Sequence, residues 1–233
     1  MDSNSTISRG VALWRRKQIS FLLLLAVMLF LSAGRWNWAL GWMQFGLYVV
    51  SVTAQAVILI KRNPELIAER AKVQKGSKTW DVVITSIAVV WMPIATWITA
   101  GLDVRYSWSP PLPWVLVAGA VAVWALSYAE VIWAMASNPF FSATIRIQKD
   151  RGQRVADGGP YRYLRHPGYA GAILFQLVTP LTLASWWAFI PSVIAVILLI
   201  VRTALEDRLL QTELDGYKEY TDRVRYRLLP GLW

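Results

Sequence analysis

Four apolar stretches separated by polar breaks, followed by one much longer apolar run, set the plan of this chain. Residues 1–18 are polar and end in Trp14-Arg15-Arg16-Lys17, and the apolar run Ile19–Ala33 follows. The outline is that of a signal peptide, but no small-residue cleavage site and soluble domain come after it. It therefore predicts a first membrane helix, extended by Trp36 and Trp38. Leu40–Ile60 predicts a second span. Trp80–Ala100 predicts a third, kinked at Pro93, and Trp114–Ala136 a fourth, which carries Glu130. Tyr169–Val201 is apolar for 33 residues. As one helix it would be about 50 Å long, against a hydrocarbon core of roughly 30 Å. Pro180, Ser185-Trp186-Trp187 and Pro191 offer places to break it, so the pattern predicts a hairpin of two short spans and six spans in all.

The polar breaks differ in kind. Lys61–Lys78 is basic, and Pro64 with Glu65 behind it predicts a short surface helix. Gly101–Pro113 is proline-rich and reads as a turn. Ser137–Arg165 is long for a connection, and such loops tend to be functional or disordered. Its alternation of aromatic, β-branched and basic residues predicts order. After Arg202 the chain turns polar and ends in RVRYRLLPGLW.

Charge tests the span count independently. With the N-terminus inside, the inner segments carry 22 of the 24 Lys and Arg residues, leaving only Arg35 and Arg105 outside. This is the positive-inside pattern, and it places both termini in the cytoplasm. A five-span arrangement would move the last six basic residues across the bilayer.

Composition agrees with a membrane protein. Hydrophobic residues make up 56% of the chain and charged residues 16%, more apolar surface than a soluble domain of this size can hide. The absence of cysteine removes disulfides and thiolate chemistry, and a single histidine leaves no set of metal ligands. The net charge of +10 fits basic loops facing anionic lipid, so no nucleic-acid partner is expected. No phosphate-binding glycine loop or serine elbow occurs.

Three places could carry chemistry. The stretch GPYRYLRHPGYAG, Gly159–Gly171, holds the only histidine, His166, among arginines and tyrosines. On spacing alone it reads first as an interfacial anchor belt. Arg202-x-x-x-Glu206-Asp207 puts Arg202 and Glu206 on one helical face, either as an i,i+4 ion pair or as the wall of a polar pocket. Glu130, inside a span near the same membrane face, is a candidate site residue or a buried partner for an arginine.

These residues fall in a recognisable order. NPFFSATIRIQKDRGQRV, GPYRYLRHPGYAG, RTALEDRLL, the Tyr217–Tyr220 pair and RVRYRLLPGLW resemble the isoprenylcysteine carboxyl methyltransferase family, integral-membrane enzymes that use S-adenosyl-L-methionine. The resemblance covers residues 138–233, and the first four spans match only in hydrophobic character. It implies an all-α polytopic bundle in two parts: a four-span bundle over residues 1–136 and a methyltransferase region over 137–233. It implies a cofactor site at Gln148, Gln153, Arg154, Val155, Ala156, Tyr161, His166, Pro167, Gly168, Tyr169 and Glu206. It further implies Arg202 at the acceptor's carboxylate, with Arg202 and Glu206 as the catalytic pair; Glu130, as an ionisable group inside a span, is added from its position as a further acceptor-side candidate. Asp207 stands where the family often has a second Glu.

Methyl transfer to a carboxylate needs no strong general base, only alignment and charge management, and Arg can hold a carboxylate bidentately. The implied partners are the lipid bilayer and a lipidic or prenylated acceptor arriving laterally between spans. Two other readings stay open: a related phospholipid or amine N-methyltransferase, with Glu130 or Glu206 as base, and a sterol-type NADPH reductase, for which the chain is short. A non-enzymatic scaffold or a transporter is the remaining class, but no internal repeat supports a transport path. Trp- and Ala-rich spans with short loops favour a prokaryotic inner membrane, with the endoplasmic reticulum as the eukaryotic equivalent. The acceptor's identity and the oligomeric state are not written in the sequence.

Overall fold

The computed structural model describes residues 3–233. Every regular element among them is helical: α1 (Ser3–Ala33), α2 (Ala39–Arg62), α3 (Pro64–Arg70), α4 (Thr79–Thr85), α5 (Met92–Tyr106), α6 (Trp114–Ser137), α7 (Pro167–Thr182), α8 (Phe189–Glu213) and α9 (Tyr217–Arg223). A π-helical segment, Ser86–Trp91, joins α4 to α5, so Thr79–Tyr106 runs as one span. Five helices are long and apolar enough to cross a membrane: Ser5–Ala33, Ala39–Arg62, Thr79–Tyr106, Trp114–Ser137 and Phe189–Glu213. At most 33% of the most apolar stretch of any of them is buried within the protein. Val115, Leu116, Leu126, Ile190 and Ile197 stay exposed, as expected of side chains whose solvent is lipid.

The structure adjusts the expected elements in four places. First, α1 begins in the polar segment and stops at Ala33, so Trp36 and Trp38 lie in the turn to α2. The early start is held by Val11 and Trp14, which are buried against Leu59, Ile67 and Met135. Second, the Pro93 helix is not simply kinked. The preceding π turn widens the backbone, which accommodates a residue without an N–H. Gln176 Nε2 reaches the carbonyl of Ala88 in that segment at 3.5 Å.

Third, α5 continues to Tyr106 and ends on Ser107 in the left-handed region, so the turn is shorter than Gly101–Pro113. Fourth, the last apolar run does break at Ser185–Trp187, but its arms are unequal. Helix α7 has 16 residues, about 24 Å, while α8 has 25 and carries its apolar register on through Arg202, Glu206 and Asp207.

Helix α3 starts as its sequence indicates, with Pro64 in the first turn and Asn63 Oδ1 accepting from the Leu66 N–H at 3.0 Å. Its inner face is buried through Leu66 and Ile67 while Glu65 stays exposed, as in a surface helix lying against the bundle.

The core joins early and late elements. Leu25, Leu29 and Phe30 of α1, Tyr48 of α2, Trp97 of α5 and Trp124 and Tyr128 of α6 form one cluster with Leu183 and Ala188. Tyr48 meets Trp97 and Trp124 edge-on at 5.1 and 5.0 Å, favoured geometries for ring quadrupoles. Helices α6 and α7 approach closely because position 171 is glycine: a Cβ there would lie 2.6 Å from the Ser127 carbonyl oxygen. Small residues at such contacts are how membrane helices gain packing without a hydrophobic driving force. This contact fixes the start of α7, and with it His166 to Tyr169.

Candidate active site

The His-Pro block sits where three segments converge. Pro167 occupies the first helical position of α7, where its missing N–H costs nothing. The two residues before it pair through their backbone N–H groups with the C-terminal segment. The Arg165 N–H donates to the Tyr226 carbonyl at 2.9 Å, and the His166 N–H to the Arg227 carbonyl at 3.0 Å. The two distant blocks are therefore one structural unit.

Asp207, fully buried on α8, organises that unit. Arg165 binds it with two parallel bonds, Nε to Oδ1 at 2.9 Å and Nη2 to Oδ2 at 3.1 Å. Arg227 Nε reaches Oδ2 at 2.8 Å, Gln211 Nε2 reaches Oδ2 at 2.8 Å, and the Tyr217 hydroxyl donates to Oδ1 at 3.1 Å. His166 Nε2 lies 3.1 Å from Oδ1, so this nitrogen carries the proton. Nδ1 donates to and accepts from no protein group among the described residues. Asp207 is a structural hub with every lone pair engaged, which a burial this complete requires.

A second buried carboxylate, Asp81 at the start of α4, fixes Arg202. Nε and Nη2 of Arg202 bind Asp81 Oδ1 and Oδ2 at 2.6 and 3.2 Å, and Nη2 also donates to the Ala143 carbonyl at 3.1 Å. Asp81 accepts the Ile145 N–H at 2.6 Å as well, so the same carboxylate ties the loop to the bundle. Arg202 therefore does not form an i,i+4 pair with Glu206. Glu206 accepts from the Tyr169 hydroxyl at 2.5 Å, and the Arg202 guanidinium lies over the Tyr169 ring at 5.1 Å. Nη1 of Arg202 donates to no protein group among the described residues. Asp81 was absent from the sequence-based candidates. Its signal was an acid at the mouth of a span, on the face where Arg202 leaves the membrane.

Two cavities meet at this point. The first, about 80 Å³, lies at the loop face and is lined by Gln153, Arg154, Val155 and Ala156 of the loop. His166, Gly168, Glu206 and the tyrosines Tyr161, Tyr169, Tyr217 and Tyr220 complete its wall. The second, about 270 Å³, lies among the spans and is mostly apolar, with Phe21, Leu22, Val52, Val89, Pro93, Phe175 and Leu199 in its wall. Phe141, Ser142, Gly168, Tyr169 and Arg202 line both.

Most residues expected at a cofactor site thus come together: Gln153, Arg154, Val155, Ala156, Tyr161, His166, Gly168, Tyr169 and Glu206. Three expected site residues lie elsewhere. Gln148 is fully buried within the loop; its side chain binds the Phe140 carbonyl at 2.8 Å and Arg151 at 2.5 Å, and it lines neither cavity. Pro167 is buried as the helix start. Glu130 is half-buried on α6 and lines neither cavity, so its carboxylate is not part of the site's wall.

The tyrosine hydroxyls of the loop face are donors rather than bases. Burial pushes Tyr161, Tyr217 and Tyr220 well above the ordinary phenol range, with the Asp207 charge adding to the shift at Tyr217. The loop itself is pinned from outside. Arg146 binds Glu69 and Asp150 at 2.9 and 2.7 Å, and its bond to Asp150 holds that carboxyl below the usual range. The Lys78 N–H donates to the Ile145 carbonyl at 3.1 Å. The basic 61–78 segment is thus the clamp that orders residues 141–146.

Fold and site together define a polytopic helical membrane protein with a polar cavity at one face and an apolar cavity opening onto it. Residues 114–212 match the Isoprenylcysteine carboxyl methyltransferase (ICMT) family, which supports a membrane methyltransferase of that kind. The matched stretch runs from α6 into α8 and contains His166, Tyr169, Arg202, Glu206 and Asp207, but not Arg70, Asp81, Tyr217 or Tyr220. The chain is also similar to Uncharacterized protein YpbQ of Bacillus subtilis (strain 168). The two are 25% identical over 173 residues, which is 73% of this chain and 96% of that protein.

Proposed function

We propose that the protein transfers a methyl group from S-adenosyl-L-methionine to a carboxylate of a lipidic or prenylated acceptor. The observation that carries this reading is the shared wall at Tyr169 and Arg202, where a polar cavity meets an apolar one. A water-soluble donor suits the first and a membrane-borne acceptor the second, and the wall is where they would touch.

The polar cavity suits the donor molecule. The tyrosine hydroxyls and the free His166 nitrogen are hydrogen-bonding groups, and Glu206 is a carboxylate suited to a cationic partner. Gly168 keeps the wall thin, since a Cβ there would meet the Phe141 ring at 2.5 Å. Gln153 to Ala156, Tyr161, His166, Tyr169 and Glu206 would hold it. When bound, it supplies an electrophilic methyl group on a sulfonium.

The chain's own residues do the rest by positioning and exclusion. Arg202, fixed by Asp81, lines both cavities with Nη1 left unbonded among the described residues, so it can take an acceptor oxygen. Tyr169 is locked between Glu206 and Arg202 and separates the two chambers. No proton need be removed from a carboxylate, whereas an amine would need Glu206 as base, and that carboxylate already accepts the Tyr169 hydroxyl. This favours a carboxylate acceptor over an amine. The loop face would be cytoplasmic by the charge distribution, in a prokaryotic inner membrane.

Calorimetry on the detergent-purified protein tests the reading. S-adenosylmethionine and S-adenosylhomocysteine should bind with micromolar affinity, and His166→Ala should lose that binding while retaining helical content. Binding of NADPH alone would overturn the reading.

A further inference from the structure

Arg70, on α3, is a partly buried cation that the matched region does not include. It lines the apolar cavity beside the junction. Nη1 donates to the carbonyls of Phe141 and Ser142, both at 3.0 Å, and the guanidinium lies over the Phe141 ring at 5.5 Å. Nε is buried and has no acceptor. No carboxylate is within ion-pair distance among the described residues. The neighbouring acids are committed elsewhere, Glu69 to Arg146 and Glu65 toward Arg151.

The charge balance of the cavity is therefore incomplete. Its wall holds two guanidiniums, Arg70 and Arg202, and no carboxylate. Asp81 just behind the wall neutralises Arg202. The remaining positive charge faces an apolar chamber, where an uncompensated ion is costly and charged residues mark a ligand or a pathway. Burial, with Arg202 adding to it, lowers the Arg70 pKa to about 10, so it stays charged at neutral pH.

We propose that Arg70 is a second anchor for the acceptor's anion, so that the acceptor is an anionic amphiphile whose head lies between Arg70 and Arg202 and whose chain fills the apolar cavity. This rests on the acceptor occupying that cavity, as in the methyltransferase reading, and adds what selects it. Arg70 supplies the charge that Arg202 has already spent on Asp81. The acceptor must arrive ionised, and a neutral lipid of equal length gains nothing from the pair.

Binding of radiolabelled myristate and of myristyl alcohol to the full-length protein in nonionic micelles tests this, with S-adenosylhomocysteine calorimetry alongside. The wild type should prefer myristate by at least tenfold. Arg70→Gln should remove most of that preference while S-adenosylhomocysteine still binds measurably, and Arg70→Lys, which keeps the charge, should restore most of it. Equal binding of the two probes by the wild type, no myristate binding, or an undiminished preference in Arg70→Gln would each overturn the proposal. If Arg70→Gln does not fold, the wild-type ratio and Arg70→Lys decide. A protein that discriminates the probes but binds no S-adenosylhomocysteine would keep the anion site and overturn the methyltransferase reading instead.

Discussion

The two ends of the bundle treat buried carboxylates in opposite ways. At the end away from the loop, Asp103 of α5 is buried and receives only neutral donors. The Ser109 N–H and hydroxyl reach it at 2.8 and 2.6 Å, and the Ser185 hydroxyl also donates to it. The same two serines accept the Trp186 and Ala188 N–H groups, so the carboxylate closes the α7–α8 turn. At the loop end, Asp81 is bound by Arg202 and Asp207 by Arg165 and Arg227; Arg165 and Arg202 line cavities, and Arg202 keeps Nη1 unbonded among the described residues. Burial of charge is common to both ends. What marks the loop end as functional is unspent hydrogen-bonding capacity beside a cavity, as at Arg202 and Arg70.

Substitutions can break this contrast, and the largest effect belongs to the hub. Asp207→Ala would leave two guanidiniums, His166, Tyr217 and Gln211 without their acceptor. Losing one partner of a buried pair costs about 3–5 kcal/mol, so thermal unfolding in detergent should shift far down and cofactor binding should vanish with it. Asp81→Ala comes next, at roughly 3 kcal/mol for one arginine and the Ile145 amide. It should loosen the 141–146 loop, seen as faster amide exchange there. Asp103→Ala removes three neutral donors' partner and should cost about 1–3 kcal/mol. S-adenosylhomocysteine binding should be untouched. Lost cofactor binding in Asp103→Ala with the fold intact would erase the contrast between the ends.

The smallest effect is the pH response of Arg70. Its guanidinium faces Arg202, Tyr169 and Tyr128, and its pKa of about 10 lies below the unfolded value. The unfolded chain binds the proton more tightly, so this group's contribution to stability rises with pH between about 10 and 12.5. Anion binding runs the other way. Myristate affinity should fall as pH rises through about 10, and the fall should be absent in Arg70→Gln.

Sequence made the spans legible because length and apolarity are local properties. It also marked the His-Pro block, the loop strip 153–156 and Glu206, which the fold gathers around one cavity. It did not reveal partners. Arg202 had a plausible mate four residues away in Glu206, yet its partner is Asp81, 121 residues distant. Arg70 reads as one more inner-face cation in the sequence, yet α3 sets it in the wall of the apolar cavity. Gln148 is implied by the family resemblance and Glu130 by its place inside a span. One turned out to brace the loop internally, and the other stands apart from both cavities. Which ion meets which is a tertiary fact, set by close helix approaches such as that at Gly171.

The most direct measurement is transfer of label from S-adenosylmethionine, radioactive in its methyl group, to carboxylated amphiphiles in micelles containing the purified protein. The account expects lipid-extractable label that mild base releases as volatile methanol, the signature of a methyl ester, with no such product from Arg202→Ala. Base-stable label would mean an N-methyl or ether product and would contradict the carboxylate reading. No transfer by a protein that binds both ligands would contradict the shared wall as a reaction site.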